Sequence, residues 1–303
     1  MNRLPEIPAE LRDLMAEIGP KWAQDTKGHI QLMIDRFSEI LAGAPKDSAD
    51  IRENIPYGTH ERQSLDVFLP KTQNRRRPAL VFIHGGAFTA GSRRRSAEIY
   101  ANVLHYFSRF GIAGINAGYR LAPDVRYPEA TQDIGRVVQW VKEHAEELAV
   151  DPSRIFLMGH SAGGAHVASY AYDKRLHPAE GPGLAGLIVV SGRVRADNRP
   201  ENPNARRVEA YYGTDPTRYD DVSPVMHAGP DSMPTFIAMA EFENPLIDVH
   251  CLELAYRLAA AKGKAPPVHR LTGHNHTSII AHFNTAEDNL GASIRHFMNE
   301  NMP

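Results

Sequence analysis

The chain has a single cysteine, Cys251, among 303 residues. One thiol cannot close an intramolecular disulfide, so this is not a disulfide-stapled secreted scaffold. On its helix, Cys251 reads as a small buried apolar residue. No stretch approaches the roughly 18 uncharged apolar residues that a membrane helix needs. The first residues, MNRLPEIPAELRDLM, interrupt any secretory leader with prolines and acids, which makes the cytoplasm the expected location. An excess of either charge is missing too: 34 basic residues face 36 acidic ones, for a net charge of −2. Phosphate neutralisation therefore cannot drive binding to nucleic acid. What remains is a soluble globular chain, 42% hydrophobic, long enough to bury roughly three quarters of its unfolded surface.

Two helical stretches open the sequence. Leu11, Leu14, Met15 and Ile18 share one face, and Ile30, Met33, Phe37, Ile40 and Leu41 keep a similar period. Gly19-Pro20 separates them and Gly43-Ala44-Pro45 ends them. Residues 1–45 are expected to form a helical extension, as a cap over a site or a decoration at an edge. Beyond them, short apolar runs recur at 65–69, 80–83, 112–115, 155–158, 187–190 and 236–239. Amphipathic helices separate the later runs, notably 129–149 and the segment after Asp248, which reads as that helix's N-cap. The pattern predicts an α/β protein with a mostly parallel sheet covered on both faces. In such sheets ligands bind at the carboxyl ends of the strands.

One of those ends carries Gly159-His160-Ser161-Ala162-Gly163-Gly164 between a strand and a small-residue helix start. This is G-x-S-x-G in the context that strains the serine and lifts its hydroxyl above the sheet, so Ser161 is the expected nucleophile. Another strand runs into His84-Gly85-Gly86-Ala87-Phe88. Backbone N–H groups of Gly86 and Ala87, joined by Ala162, are expected to form an oxyanion hole. Gly85 is a weaker candidate donor, and His84 reads as a loop-holding residue outside proton transfer. A serine needs a base. Among 15 histidines, His276 stands just before an apolar helix start near the chain end, with His274 second. Reading His274, His276 and His282 as metal ligands is disfavoured, because no carboxylate or cysteine accompanies them in ligand spacing. In the chain order serine, acid, histidine, the acid falls in Glu241–Asp248. Glu243, just past a strand end, is preferred over Asp248 and Glu241.

These residues resemble the α/β-hydrolase fold, and within it the hormone-sensitive-lipase type and the kynurenine-formamidase-like (BD-FAE-like) carboxylesterases. The likeness runs through Ile55–Gly58, Leu65–Pro70, His84-Gly85-Gly86, Tyr119–Asp124, Tyr127–Ala130 and the Ser161 motif. It implies a single α/β-hydrolase domain over 46–303 with a small cap insertion around 191–234. There are two departures. Ala87 replaces the third glycine of H-G-G-G, and Asn244 stands where the lipase type carries its aspartate; the formamidase-like spacing lands on Glu243 instead. The implied activity is hydrolysis of a small carboxylic ester through an acyl-enzyme, with no cofactor and no metal. An amidase or arylformamidase using the same groups is the alternative, and a non-catalytic ligand-binding relative is less favoured. The expected partner is a small-molecule ester, and a homo-oligomer is compatible with the sequence. Arg75–Arg77 and Arg93–Arg95 read as solvated loop charges. Arg93–Arg95, Arg193 and Arg195 keep a minor candidacy for touching an anionic substrate.

Overall fold

The structure, a computed structural model, describes residues 3–72 and 76–302. Helices α1 (Ala9–Ile18) and α2 (Thr26–Leu41) come first, then strands β1 (Ala49–Pro56), β2 (Ser64–Pro70) and β3 (Arg77–Ile83). Next are α3 (Ala101–Ser108), β4 (Ala113–Ala117), α4 (Glu129–Glu143), β5 (Val150–His160) and α5 (Ala162–Tyr172). The rest are β6 (Gly186–Val190), α6 (Ala205–Tyr212), α7 (Tyr219–Val222), β7 (Thr235–Phe242), α8 (Ile247–Lys262), β8 (Val268–Asn275), α9 (Ser278–Ala281) and α10 (Asn289–Glu300).

Among the described residues the strands form one eight-stranded sheet in the order β1-β2-β4-β3-β5-β6-β7-β8. The pairs β1/β2 and β2/β4 are antiparallel, and all later neighbours are parallel. Alternation along each strand sends its side chains to two cores. Val81, Leu157, Val189 and Ile237 pack with α4, α5 and α8. Phe82, Met158, Ile188 and Phe236 pack with α3, α9, α10 and the N-terminal segment, in which α1 supplies Leu11 and Met15, α2 supplies Met33 and Phe37, and the 3-10 turn Gly19–Asp25 between them supplies Trp22. The opening helices thus form part of one covering layer.

Local differences from the expectations have identifiable causes. Helix α4 stops at Glu143; Ala145 and Leu148 stay buried, but in the turn that leads into β5. The N-cap of α8 is Leu246, at φ 71°, and the exposed Asp248 lies inside the first turn. Of the arginine runs, Arg75 lies outside the described residues and Arg76 is exposed. Arg77 is buried and donates to the carbonyls of Pro70 and Thr72. Arg93 and Arg94 are not free surface charges either, since both pair with the buried Asp66, at 3.1 and 2.9 Å. Arg195 is taken up by Glu253 and Asp220, and Arg193 is buried against the Pro245 carbonyl.

Candidate active site

Ser161 joins β5 to α5 with φ 57° and ψ −120°, a backbone state that side-chain-bearing residues rarely adopt. The turn is held from below: Ser161 N donates to the Val190 carbonyl at 3.1 Å, and Arg193 N donates to the Ser161 carbonyl at 3.0 Å. Gly163 must be glycine, because a Cβ there would overlap the carbonyl of Ile83 on the neighbouring strand. Helix α5 therefore starts against the end of β3, with its positive N-terminal pole beside the serine.

The loop after β3 passes directly over this turn. Gly86 takes φ 146° and Ala87 φ 50°, so successive peptide N–H groups are turned out of any regular ladder. Among the described residues, the N–H groups of Gly86, Ala87 and Ala162 donate to no protein acceptor. Gly85 packs against Ser161 Cβ, and backbone donors left open beside that turn are suited to receiving a negatively charged oxygen. The His84 ring stacks on Tyr119 at 4.4 Å, and its Nδ1 donates to the Gly85 carbonyl at 2.8 Å. Burial pushes its pKa down to about 3, so it is a neutral brace. The Tyr119–Asp124 run backs the same loop: Tyr119 OH donates to the His84 carbonyl, and Ala122 N donates to that of Phe88. Arg120 is anchored on the fully buried Asp133 at 2.8 Å.

His276 follows β8 directly, and its N–H donates to the Phe242 carbonyl at 2.9 Å, which ties the base loop to the end of β7. Its Nε2 lies 3.0 Å from Ser161 Oγ and its Nδ1 lies 2.6 Å from Glu243 Oε2. The side chains of His276 and Glu243 are each only 3% exposed. The other carboxylate oxygen of Glu243 accepts from Ser191 Oγ at 2.5 Å and from Ala240 N at 2.7 Å. A carboxylate bound at both oxygens cannot swing, and it fixes the proton of the imidazole on Nδ1, which leaves Nε2 free to accept.

The rival candidates are engaged elsewhere. Asp248 is exposed and bonds the N–H of Val249. Glu241 pairs with Arg270 and accepts from Gly273 N. His274 Nε2 bonds Glu287 at 2.8 Å and its ring packs edge-on to His282. Among the described residues, no group of three or more His, Cys, Asp or Glu side chains is placed to hold a metal ion. Sequence reading passed over Ser191 and His160. Ser191 follows β6 at φ 48°, which places it at the carboxyl edge of the sheet. His160, pushed down to about 3 chiefly by burial, donates from Nε2 to the His276 carbonyl at 2.9 Å. Its place in the strand-ending Gly159-His160-Ser161 was the available signal.

A structure described as a bacterial heroin esterase superposes with a TM-score of 0.70, covering 99% of this chain and 95% of its own at 24% identity. The chain has the α/β-hydrolase fold. Within that fold, residues 65–178 match the BD-FAE family, the segment carrying both the oxyanion loop and the Ser161 turn. An ethyl acetate hydrolase of Pseudomonas putida is 36% identical over 134 residues, 43% of this chain and 41% of the relative. A kynurenine formamidase of Salmo salar is 29% identical over 140 residues, 46% of this chain and 45% of the relative. The matches thus span less than half of these curated relatives' length. Together the likenesses bear out the fold that the motifs led one to expect, with the BD-FAE match confined to residues 65–178. Among the described residues, no helix is long and apolar enough to cross a membrane.

Proposed function

We propose that the protein is a serine hydrolase that cleaves small carboxylic esters through an acyl-enzyme on Ser161. The observation that carries this reading is the unbroken chain Ser161 Oγ, His276, Glu243, at 3.0 and 2.6 Å. Ser161 Oγ attacks the ester carbonyl while its proton passes to His276 Nε2, and Glu243 stabilises the imidazolium that results. The negative oxygen of the tetrahedral intermediate is received by the N–H groups of Gly86, Ala87 and Ala162, each such donor being worth several kcal/mol. His276 then gives its proton to the leaving alcohol. Water, deprotonated by the same imidazole, attacks the acyl carbonyl and releases the acid, restoring Ser161.

Residues 191–234 serve in this reading as the small cap. Tyr211 of α6 stacks on Phe88 of the oxyanion loop at 5.2 Å and Tyr212 meets it edge-on at 5.3 Å, which supports a lid element seated beside the site. The test is hydrolysis of p-nitrophenyl esters of increasing acyl length, with Ser161→Ala as the control. Turnover that falls off with acyl length and vanishes in the control is the expected result. Wild-type rates no higher than the control on every ester would sink the proposal. The arylformamidase reading is favoured by the formamidase relative alone. A larger kcat/KM on an N-formyl arylamine than on the best ester would put it first.

A further inference from the structure

The acid loop is gripped by a part of the chain more than two hundred residues away. Trp22, 2% exposed, donates its Nε1–H to Asn244 Oδ1 at 2.8 Å. Gly19, one turn earlier, lies so close to the Phe242 ring that a Cβ there would overlap it. Glu243 lies between these two contacts, with its carboxylate turned toward Ser191, Ala240 and His276. The Phe242 carbonyl also receives the N–H of His276. The segment 19–22 therefore holds the residue on each side of the acid and, through Phe242, the backbone of the base. Asn244 is suited to this because its acceptor is neutral. An aspartate would place a second negative charge beside Glu243 and favour protonation of that acid.

We propose that Trp22 is a positioning residue of the active site, fixing the Glu243 loop through Asn244 and so setting how firmly the carboxylate holds His276. This rests on the hydrolase reading above. The N-terminal extension has further anchors: Arg12 pairs with Glu287 at 3.0 Å, the Pro5 carbonyl accepts from Ala286 N, and the Pro45 carbonyl accepts from Asn284 Nδ2. Removing one indole N–H should therefore leave the extension docked.

The test uses the full chain and a p-nitrophenyl ester, comparing wild type, Trp22→Phe, Asn244→Leu and the double variant. Misplacement of a catalytic group by a fraction of an ångström is costly, so each single change is expected to lower kcat by about tenfold with KM within about twofold. The double variant should be no worse than either single one, because both break the same bond. A looser carboxylate stabilises the imidazolium less, so the acid limb of kcat/KM should move to lower pH. Trp22→Phe with wild-type kcat and an unmoved acid limb overturns the proposal. A rate loss matched by loss of folded protein, with kcat per folded molecule unchanged, overturns it as well. Ser161→Ala separates the two levels. If that variant still hydrolyses the ester, the hydrolase reading fails and this inference falls with it. If activity needs Ser161 and Trp22→Phe has no effect, only the positioning role is lost.

Discussion

The two halves of the site are built by different means. On the nucleophile side the backbone does most of the holding: Ser161 is aimed by its own strained φ and ψ, with its N–H taken by the Val190 carbonyl and its carbonyl by Arg193 N. On the acid side the geometry depends on side chains that arrive from far apart. Ser191 comes from the end of β6, His276 from beyond β8 and Trp22 from the N-terminal segment. Backbone strain gives an all-or-none arrangement, whereas a set of side-chain bonds can be loosened one at a time. Loss of the nucleophile or of the base should therefore abolish activity, whereas removing one of the side chains that brace the acid should only grade it.

The sharpest contrast is in the triad itself. Ser161→Ala and His276→Ala should each cost on the order of 10⁶ in kcat, and Glu243→Gln about 10⁴, since the acid of such a unit matters less than the other two. Asp248→Asn and Glu241→Gln should leave ester turnover near wild type. Stopped assays on purified variants check this, and a reversal between Glu243 and Asp248 would break the comparison at its centre. Next comes Ser191→Ala, which removes one of the two donors on Glu243 Oε1 and leaves Ala240 N in place. The expected loss is about tenfold in kcat with KM unchanged, in keeping with the net worth of a hydrogen bond to a charged group. A loss as deep as that of Glu243→Gln would mean that the acid side, too, behaves as a single unit.

The smallest effect is on stability and belongs to the nucleophile side. Burial holds His84, His160 and His166 at about 3. Unfolded histidines take up protons near 6.5, so unfolding binds protons between about 6.5 and 3, and stability drops as the pH falls through that window. Each group contributes on the order of 1 kcal/mol per pH unit there. His166 is packed among Phe88, Tyr119 and Tyr211, and neither ring nitrogen has a partner among the described residues. His166→Leu should accordingly flatten the fall in urea midpoint between pH 7.5 and 5. Equal slopes in variant and wild type would show that this histidine is protonated as readily folded as unfolded.

What the sequence made legible follows the same division. The parallel sheet could be read because its strands are uninterrupted apolar runs, and Ser161 because the elbow's glycines are needed at fixed spacing. Glu243 and His276 could be reached by chain order, yet their bond to each other could not be read from spacing. Arg93 and Arg94 look like solvent charges until Asp66, more than twenty residues earlier, is folded beneath them. Asp248 looks like a cap, but the chain enters the helix through Leu246, a left-handed residue that no simple capping rule anticipates. The opening helices gave their periodicity without their destination. Nothing in the neighbourhood of Trp22 announces that its partner is Asn244.

That partnership makes the acid loop optically visible. The chain has two tryptophans, and the other, Trp140, stacks on His144 at 4.1 Å across the opposite face of the sheet. A Trp140→Phe protein would keep a single tryptophan, its indole N–H bound to the residue next to the acid. Any opening of that loop would hydrate the indole and move its emission to longer wavelength. Intrinsic fluorescence in a rapid-mixing experiment would then report, without a label, when the acid is in place during turnover.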